Sequence, residues 1–374
     1  MASVTLDRVV KHYDTAESVT LTGGFKRRPA LDNVSIEIAD GETVSVVGAS
    51  GCGKSTLLKV VAGLEIPDRG RILFNGVDVT ATQPRDRGVG MVFQDYALYP
   101  TMKGKGNLAY YFQVHERSEE EAEQRTREVA AMMGVGFDLL MGRVPTTLSG
   151  GEQQRVAIGR CIVRDPTLFL MDEPICNLDA KLRESTRIEL KKLLRKFAVT
   201  ALYVTHDQQE AVFMGDRIAV MRDGRIEQMG SFDDLYSSPA NLFVAQFIGS
   251  PPIAIISAAI ADRGVVVDGH RWPLPAAVAD ELAPGPVRLG VRPENWQLDA
   301  AGGATIPLRH VERIPTERSS FLFGTLAGAN VAIAAPLDFP ETSRVLASPD
   351  WDRAYFFAAG SEETLRAPGV EDLF

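Results

Sequence analysis

The sequence predicts an α/β fold built on a parallel sheet, followed by a smaller all-β domain. Through the middle of the chain, short apolar strands alternate with helix-forming stretches, and a glycine-rich turn joins one strand directly to a helix. After about Ser250, short β-like runs rich in Ala and Pro replace the long helical patterns. The chain has 374 residues, enough for two or three domains of ~150 residues. We therefore expect one domain over residues 1–249 and another over residues 250–374.

Hydrophobic periodicity locates the elements of the first domain. Alternating apolar residues or short apolar runs predict strands, and spacings of three or four residues predict helices. The predicted strands are residues 4–6, 31–38, 44–47, 168–171, 201–205 and 217–221. One helix is expected directly after the glycine-rich turn and one over residues 179–196. A surface helix is expected after His115, because Ser118 and Glu121 have the spacing of a capping box.

Composition and charge limit the class of protein. Hydrophobic residues make up 45% and charged residues 24%, which is typical of a globular chain with a sizeable core. The formal charge of -9 argues against nucleic acid as the main partner, since nucleic-acid binders present basic surfaces. Three scattered cysteines are too few for a disulfide framework or a zinc cluster and favour a reducing compartment. No apolar run approaches the ~18 residues of a membrane span.

The glycine-rich turn has the pattern of a phosphate-binding loop. Residues 48–55, GASGCGKS, fit GxxxxGK[ST] and lie between a predicted strand and a predicted helix, as this motif requires. Its glycines let backbone N–H groups turn toward phosphate oxygens, and the helix N-terminus adds positive potential. We expect Lys54 to reach the β- and γ-phosphates and the Ser55 hydroxyl to ligate Mg²⁺. The nucleotide-binding residues expected here are Ser50, Gly51, Cys52, Gly53, Lys54, Ser55 and Thr56.

Two carboxylates directly follow the apolar strand at residues 168–171. A phosphate loop needs an acidic residue at a strand end to hold its metal, and Asp172 would do so through the water shell of Mg²⁺. Glu173, one residue further, would polarise a water for attack on the γ-phosphate. The alternative is a buried strand followed by an ordinary acidic turn. The phosphate loop favours the catalytic interpretation.

Residues 148–155, LSGGEQQR, complete a set of motifs that resembles the ATP-binding-cassette (ABC) ATPases, whose signature is LSGGQ. The other family motifs follow in order. Gln94 resembles the Q-loop glutamine, residues 177–179 the D-loop, and His206 the switch histidine. Tyr13 is placed like the aromatic residue that stacks on adenine, with plain core packing as the alternative.

The resemblance implies a P-loop NTPase fold with a RecA-like core, an antiparallel β-subdomain, a helical subdomain at about residues 95–160 and a C-terminal OB-like (TOBE) domain. It also implies a head-to-tail dimer in which each ATP lies between two subunits. The expected catalytic residues are Lys54, Gln94, Glu173 and His206. The expected Mg²⁺ ligands are Ser55, Gln94 and Asp172. The residues expected to act on the ATP of the opposite subunit are Ser149, Gly150, Gly151 and Asp179.

Within this family the chain is most similar to the ATPase subunits of bacterial carbohydrate importers of the maltose, multiple-sugar and glycerol-phosphate type. The segments NLFVAQFIGSPP and LGVRPE are the more discriminating ones. This resemblance implies ATP and Mg²⁺ as cofactors and the cytoplasmic face of the inner membrane as the location. The implied partners are a second ATPase subunit, two transmembrane permease subunits and, indirectly, an extracytoplasmic solute-binding protein.

Two alternatives stay open at this point. In related transporters, ATPase subunits of the same type power polyamine, iron, sulfate or osmolyte permeases. A second possibility, of another class, is a soluble ABC protein that acts on ribosomes or DNA, or a regulatory binding module. The single phosphate loop argues against the ribosomal type, which usually joins two cassettes in one chain.

Departures from the family pattern concern a loop and three side chains. The segment between Tyr13 and Leu31 is longer than usual and includes a basic cluster, residues 26–28, expected to be a solvated loop. Glu152 replaces the commoner Gln of the signature. Cys52 lies beside a lysine and a helix N-terminus, which favours its thiolate. Cys176 takes a place usually filled by Ser or Ala; we hypothesise that oxidation cross-links two subunits through it, with inert packing as the alternative.

Overall fold

The computed structural model describes residues 2–13, 29–134, 136–300, 302–314, 319–340 and 342–368. Contacts within the chain divide it into two units, residues 1–226 and residues 227–374, and each is described by itself. No helix in the described ranges is both long enough and apolar enough to cross a membrane. The loop expected at the basic cluster, residues 26–28, lies outside the described residues.

The strands and helices of the first unit include all those expected from periodicity. In chain order the strands are β1 (Val4–His12), β2 (Pro29–Ile38), β3 (Thr43–Val47), β4 (Arg69–Phe74), β5 (Val77–Asp78), β6 (Val89–Val92), β7 (Leu168–Asp172), β8 (Ala201–Thr205), β9 (Arg217–Arg222) and β10 (Arg225–Gly230). The helices are α1 (Lys54–Ala62), α2 (Gly104–Val114), α3 (Glu119–Met133), α4 (Phe137–Met141), α5 (Gly150–Ile162), α6 (Ala180–Phe197) and α7 (Gln208–Met214). Strand β10 crosses the boundary between the two units.

The first unit contains an antiparallel and a parallel sheet. The antiparallel sheet has the order β2-β1-β4-β5, and the larger sheet has the order β10-β9-β3-β8-β7-β6. Strands β3, β8, β7 and β6 pair in parallel, with Val47 opposite Thr205 and Asp172 opposite Val204. Since parallel strands end at the same edge of a sheet, the loops that follow β3, β7 and β8 meet there.

Helices α2 to α5 share one buried apolar cluster with the parallel sheet and α6. Helix α3 begins as predicted at Ser118, whose hydroxyl accepts the backbone N–H of Glu121 at 3.1 Å. Ala122, Val129 and Met133 are buried on one face of α3, while its acidic first turn is exposed. The expected amphipathic surface helix is therefore confirmed. The limits of the helical subdomain, residues 95–160, stay a prediction.

The second unit is an antiparallel β structure with short helices. Its strands are β11 (Ala254–Ala261), β12 (Gly264–Val267), β13 (His270–Pro273), β14 (Gly285–Val291), β15 (Trp296–Leu298), β16 (Ala304–Ile314), β17 (Ser319–Leu326), β18 (Ala329–Pro336), β19 (Arg344–Pro349), β20 (Tyr355–Ala358) and β21 (Thr364–Arg366). Its helices are α8 (Phe232–Ser237), α9 (Leu242–Phe247) and α10 (Ala276–Glu281). Two sheets have the orders β13-β12-β11-β14-β20-β21 and β15-β19-β16-β17-β18. The predicted fold class, a P-loop α/β domain followed by an OB-like all-β domain, is confirmed.

A fully buried arginine ties α8 and α9 to the strands of the second unit. The Arg292 guanidinium donates to the carbonyl oxygens of Ala245, Ile248 and Tyr236 and lies 3.9 Å from the Tyr236 ring centroid. These contacts help to explain why residues 227–249 belong to the second contact unit. The domain boundary expected at residue 249/250 rests on the change in sequence composition and not on contacts, and it stays a prediction.

Replacing Arg292 by Ala is expected to lower the free energy of unfolding of this unit by about 3 kcal/mol, because the buried carbonyls of Ala245 and Ile248 lose their guanidinium hydrogen bonds. The Tyr236 carbonyl also loses one but keeps its bond from the Tyr355 hydroxyl. Urea unfolding followed by tryptophan fluorescence measures this directly, since the three tryptophans, Trp272, Trp296 and Trp351, all lie in the second unit. Arg263→Ala, which removes a largely exposed guanidinium, is the control. Equal midpoints for the two variants would contradict the prediction.

Candidate ATP-binding and hydrolysis site

The loop between β3 and α1 needs glycine at two of its positions. A side chain at Gly48 would place its Cβ 2.2 Å from the carbonyl oxygen of Met221. Gly53, with φ +113°, precedes the first residue of α1, and a Cβ there would lie 2.3 Å from the carbonyl oxygen of Ala30. Side chains are therefore excluded where the chain turns into the helix, and the backbone N–H groups remain accessible to an anion.

Lys54 lies over this loop and is largely buried. Its ammonium donates to the carbonyl oxygens of Gly48 at 2.8 Å and Ala49 at 3.1 Å. An ammonium held by loop carbonyls beside exposed residues Ser50 and Gly51 lies where phosphate oxygens would approach. The predicted phosphate loop therefore has the expected backbone and cation.

Ser55 and Asp172 come together from different elements. The Ser55 hydroxyl, in the first turn of α1, donates to the Asp172 carboxylate at the end of β7 over 3.1 Å. Burial raises the pKa of Asp172, the Ser55 hydrogen bond opposes this rise, and the neighbouring Glu173 charge adds to it. A partly desolvated carboxylate next to a hydroxyl is an oxygen donor pair that suits Mg²⁺ with its remaining waters. The residues present therefore fit the metal.

Glu173 and His206 form the second pair at this edge of the sheet. The Glu173 carboxylate lies 2.9 Å from Nδ1 of His206, and the Glu173 N–H donates to the carbonyl of Val204. Glu173 has φ +46°, a left-handed backbone conformation that is uncommon outside glycine. The imidazole is more exposed than the carboxylate, 59% against 19%, so the histidine forms the outer part of the pair. The structure thus brings the predicted base and the switch histidine into contact.

Gln94 follows β6 and is linked to the segment before the D-loop. Its carbonyl oxygen accepts a hydrogen bond from the Asn177 side chain at 2.9 Å. Gln94 itself is exposed. The Q-loop and D-loop motifs are therefore neighbours, while the expected metal contact of Gln94 stays a prediction.

The signature sequence forms the N-terminus of α5 with a complete capping box. The Ser149 hydroxyl accepts the backbone N–H of Glu152, and one Glu152 oxygen accepts the N–H of Ser149 at 2.7 Å. The other Glu152 oxygen accepts a hydrogen bond from Arg143 at 3.1 Å. The backbone hydrogen bond from Ser149, helped by the Arg143 charge, lowers the pKa of Glu152. Glu152 is therefore charged at neutral pH and paired with a cation.

The two signature glycines pack against the D-loop and α6 of the same chain. A Cβ at Gly150 would lie 2.7 Å from a methyl of Leu178, and one at Gly151 would lie 3.3 Å from Leu182. Asp179 caps α6, its carboxylate accepting the Leu182 N–H at 2.9 Å. The action of these residues on the ATP of another subunit stays a prediction.

Tyr13 lies at the limit of the described part of the N-terminal segment. Its half-buried ring has the Lys11 ammonium 5.5 Å from its centroid. The following residues, 14–28, lie outside the described residues. The stacking of Tyr13 on adenine stays a prediction.

The cysteine environments differ from the sequence-based expectation in one respect. Burial raises the pKa of Cys52 more than the nearby Lys54 ammonium lowers it, so the expectation that this site favours the thiolate is wrong. Burial and the Glu173 charge also raise the pKa of the half-buried Cys176. Burial raises the pKa of Cys161 to about 11. The hypothesis of cross-linking through Cys176 is not tested by these contacts.

We expect iodoacetamide at pH 8 to alkylate Cys176 well before Cys52 and Cys161, because Cys176 is the more exposed thiol. A raised pKa leaves a thiol neutral at this pH, so Cys161 should react only on unfolding or as the pH nears its pKa of about 11. Peptide mapping by mass spectrometry checks the order, with urea-unfolded protein as the control. Early labelling of Cys52 would contradict it. A non-reducing gel of oxidised wild type and Cys176→Ser tests the cross-linking hypothesis.

A groove of about 460 Å³ lies next to the Q-loop in the first unit. Its lining includes Phe93, Tyr99, Tyr110 and Val114, and Tyr99 and Val114 are unusually exposed for apolar side chains. Arg160, on the signature helix, also lines the groove and donates to the Tyr96 and Ala97 carbonyls just after Gln94. The groove therefore connects physically to both the Q-loop and the signature helix.

Two charged residues next to the site were not identified from the sequence. Arg143 holds the outer oxygen of Glu152, and nothing in its sequence context indicates this. Glu210, on α7, is buried and accepts hydrogen bonds from the Tyr203 and Thr205 hydroxyls. Its short distance in sequence from His206 was the one available signal.

A phosphate loop, a serine–aspartate pair, a glutamate–histidine pair and a capped signature helix, arranged around a parallel sheet, define an ABC-type ATPase. The comparisons with known proteins agree. The family model described as ABC transporter matches residues 31–176. The chain belongs to this family of ATP-binding proteins.

Several relatives are similar over most of the chain. The sn-glycerol-3-phosphate import ATP-binding protein UgpC of Chromobacterium violaceum is 43% identical, covering 88% of this chain and 87% of that protein. The diacetylchitobiose uptake system ATP-binding protein MsiK of Streptomyces coelicolor is 41% identical, covering 87% and 88%. The osmoprotective compounds uptake ATP-binding protein GgtA of Synechocystis is 45% identical, covering 79% and 78%.

Solved structures of one ABC protein share the fold of a part of the chain. The dimeric post-hydrolysis structure of the ATP-binding cassette MJ0796, bound to ADP and Pi, is 33% identical, with a TM-score of 0.52. The match covers 61% of this chain and 98% of that one. A dimeric cassette is therefore the state in which a similar protein has been observed.

Proposed function

We propose that this protein is the ATP-hydrolysing subunit of a bacterial importer and powers the uptake of a carbohydrate or a related solute such as a glycerol phosphate. The observation that carries this proposal is the close juxtaposition of Ser55 with Asp172 and of Glu173 with His206 at one sheet edge. Relatives named for import of sn-glycerol 3-phosphate and uptake of diacetylchitobiose, similar over nearly the whole chain, support the solute class.

The phosphate groups of ATP would bind the amides of residues 48–54 and the ammonium of Lys54. Mg²⁺, held by Ser55, Asp172 and Gln94, would neutralise charge on the β- and γ-phosphates. Glu173 accepts a proton from the attacking water as the new P–O bond forms and the bond to the ADP oxygen breaks. His206 keeps the Glu173 carboxylate oriented and contacts the γ-phosphate.

We propose that two copies of the chain complete each other's sites. Ser149, Gly150 and Gly151 lie at the start of α5, where backbone N–H groups and the helix dipole favour an anion. A triphosphate held by the phosphate loop of one subunit leaves its γ-oxygens open to such a helix from the other. The dimeric structure reported for the MJ0796 cassette supports this arrangement.

The groove beside Gln94 is the proposed contact with the permease subunits. Its exposed aromatic and aliphatic lining suits an apolar segment of a partner protein. Arg160 links the groove to the carbonyls after Gln94. A partner segment that binds in the groove would therefore shift the backbone of the Q-loop. In this arrangement the chain is a peripheral protein on the cytoplasmic face of the inner membrane.

The proposal is tested by expressing the chain with and without its genomic neighbours. MgATP hydrolysis by the purified protein, co-purification with two membrane subunits and ATP-dependent uptake of a labelled sugar or glycerol phosphate are expected. Osmolyte uptake is the alternative to include, since one relative carries that name. A protein that neither hydrolyses MgATP nor binds membrane subunits would refute the proposal.

The pairing of Arg143 with Glu152 gives a prediction about the dimer. Arg143→Gln is expected to weaken ATP-dependent dimerisation about three- to tenfold, because the Glu152 charge is left uncompensated close to the partner's phosphates. The double variant Arg143→Gln/Glu152→Gln should recover most of the affinity. Sedimentation of these variants in a Glu173→Gln background measures it, with Arg117→Gln, at another exposed ion pair, as the control. Equal losses in the single and double variants would contradict charge compensation.

A further inference from the structure

A buried cluster of polar side chains lies directly behind the Glu173–His206 pair. The cluster consists of Tyr203 and Thr205 on β8 and Glu210 on α7, which are all less than about a twentieth exposed: 0%, 1% and 4%. The hydroxyls of Tyr203 and Thr205 both donate to the Glu210 carboxylate, that of Thr205 over 2.9 Å. Both carboxylate oxygens are therefore used, one by each hydroxyl.

The same cluster holds the backbone on the other side of His206. The Thr205 hydroxyl accepts the N–H of Asp207 at 3.0 Å. The Asp207 carboxylate in turn caps α7 by accepting the N–H groups of Gln209 at 2.8 Å and Glu210 at 3.2 Å. Residues 205 and 207 are thus fixed by hydrogen bonds, with only the histidine between them.

His206 is the outward-pointing residue of this segment. Along a strand, successive side chains point to opposite faces, so Tyr203 and Thr205 share the face that carries Glu210. The His206 side chain is 59% exposed and its Nδ1 lies 2.9 Å from Glu173. The imidazole is therefore placed by its contact with Glu173 and by the hydrogen-bonded backbone of residues 205–207 on either side of it.

We propose that Glu210 is a positioning residue, which keeps His206 against Glu173 by holding the Tyr203 and Thr205 hydroxyls. A carboxylate is suited to this role, because it accepts from both hydroxyls at once without needing a donor of its own. Burial raises the pKa of Glu210, and the two hydroxyl hydrogen bonds act in the opposite direction. The proposal rests on the proposed ATPase function and adds residues outside the sets expected to bind ATP and Mg²⁺.

A matched hydroxyl at the other end of the same strand provides the control. Thr200 directly precedes β8 and is fully buried. Its hydroxyl accepts the N–H of Gly41 at 2.9 Å and donates to the Asp40 carboxylate at 3.4 Å. It repeats the hydrogen-bond pattern of Thr205, which also joins a backbone N–H to a carboxylate, but it lies at the opposite end of β8 from His206.

The test compares Thr205→Val with Thr200→Val in the full chain. We expect Thr205→Val to lower kcat for ATP about tenfold with little change in KM, because the phosphate loop is untouched and the histidine is displaced. Thr200→Val should keep kcat within about twofold of the wild type while showing a similar drop in thermal midpoint. Thr205→Ser, which keeps the hydroxyl, should restore most of kcat.

The outcomes separate the two proposals. An inactive wild-type protein refutes the ATPase function itself. If the wild type is active, two results overturn the positioning role. One is an equal loss of activity in Thr205→Val and Thr200→Val, and the other is a Thr205→Ser variant that does not recover kcat. If Thr205→Val does not fold, Tyr203→Phe removes the other hydroxyl with less disturbance and should lower kcat about threefold at unchanged KM. Full activity of Tyr203→Phe would then overturn the proposal.

Discussion

Replacing Glu173 by Gln is expected to lower kcat for ATP hydrolysis at least about 100-fold while ATP binding stays intact. The amide has nearly the shape of the carboxylate and can still meet Nδ1 of His206, but it cannot accept the proton of the attacking water. Lys54, Ser55 and Asp172 keep their places, so the nucleotide still binds. The ATP-bound dimer should therefore accumulate.

Steady-state phosphate release and size-exclusion chromatography with light scattering, both with MgATP, measure the two effects. Glu189→Gln changes an exposed carboxylate on α6 and is the control for loss of charge. An enzyme with Glu173→Gln that stays fully active would remove Glu173 as the base. Loss of activity without a stable dimer would agree with Glu173 as the base but would contradict an ATP site shared between two subunits.

Replacing Lys54 by Ala is expected to weaken ATP binding about 100-fold, which corresponds to roughly 2.7 kcal/mol. The lysine is the buried cation of the phosphate loop, and charge-assisted hydrogen bonds are the strong ones. ADP should lose less affinity than ATP, because Lys54 is expected to bind the γ-phosphate as well as the β-phosphate.

Titration calorimetry with ATP and ADP measures the affinities, and circular dichroism shows whether the variant folds. Lys105→Ala removes an exposed ammonium on α2 and serves as the control. Unchanged ATP affinity in a folded Lys54→Ala protein would contradict the assignment of residues 48–55 as the nucleotide site. A general fall in affinity in both variants would instead indicate a long-range charge effect.

Much of the first unit could be predicted because its signals are local. The strand before Gly48 and the helix after it are defined by adjacent residues, and residues 168–171 lead into Asp172 and Glu173 without interruption. Parallel pairing then places Asp172 beside Ser55, although 117 positions separate them in the chain. The resemblance to a known family added the Q-loop, the signature and the histidine, which periodicity alone does not identify.

The features that sequence reasoning missed depend on burial. Lys54 and the nearby helix N-terminus made the Cys52 thiolate look favourable, but the thiol is desolvated and its pKa rises. Glu210 was not identified from the sequence, because its carboxylate turns inward to two buried hydroxyls rather than to solvent. Arginine is hydrophilic on hydropathy scales, yet Arg292 is fully buried. Such outcomes depend on tertiary contacts that no local pattern contains.

The left-handed backbone at Glu173 implies a trade between durability and turnover. Residues other than glycine adopt this conformation at a cost of roughly 1 kcal/mol, and the chain accepts it directly after Asp172, the half-buried end of β7. Laboratory selection for heat resistance alone would therefore favour glycine at this position. The selected protein would be more stable and would bind ATP without hydrolysing it.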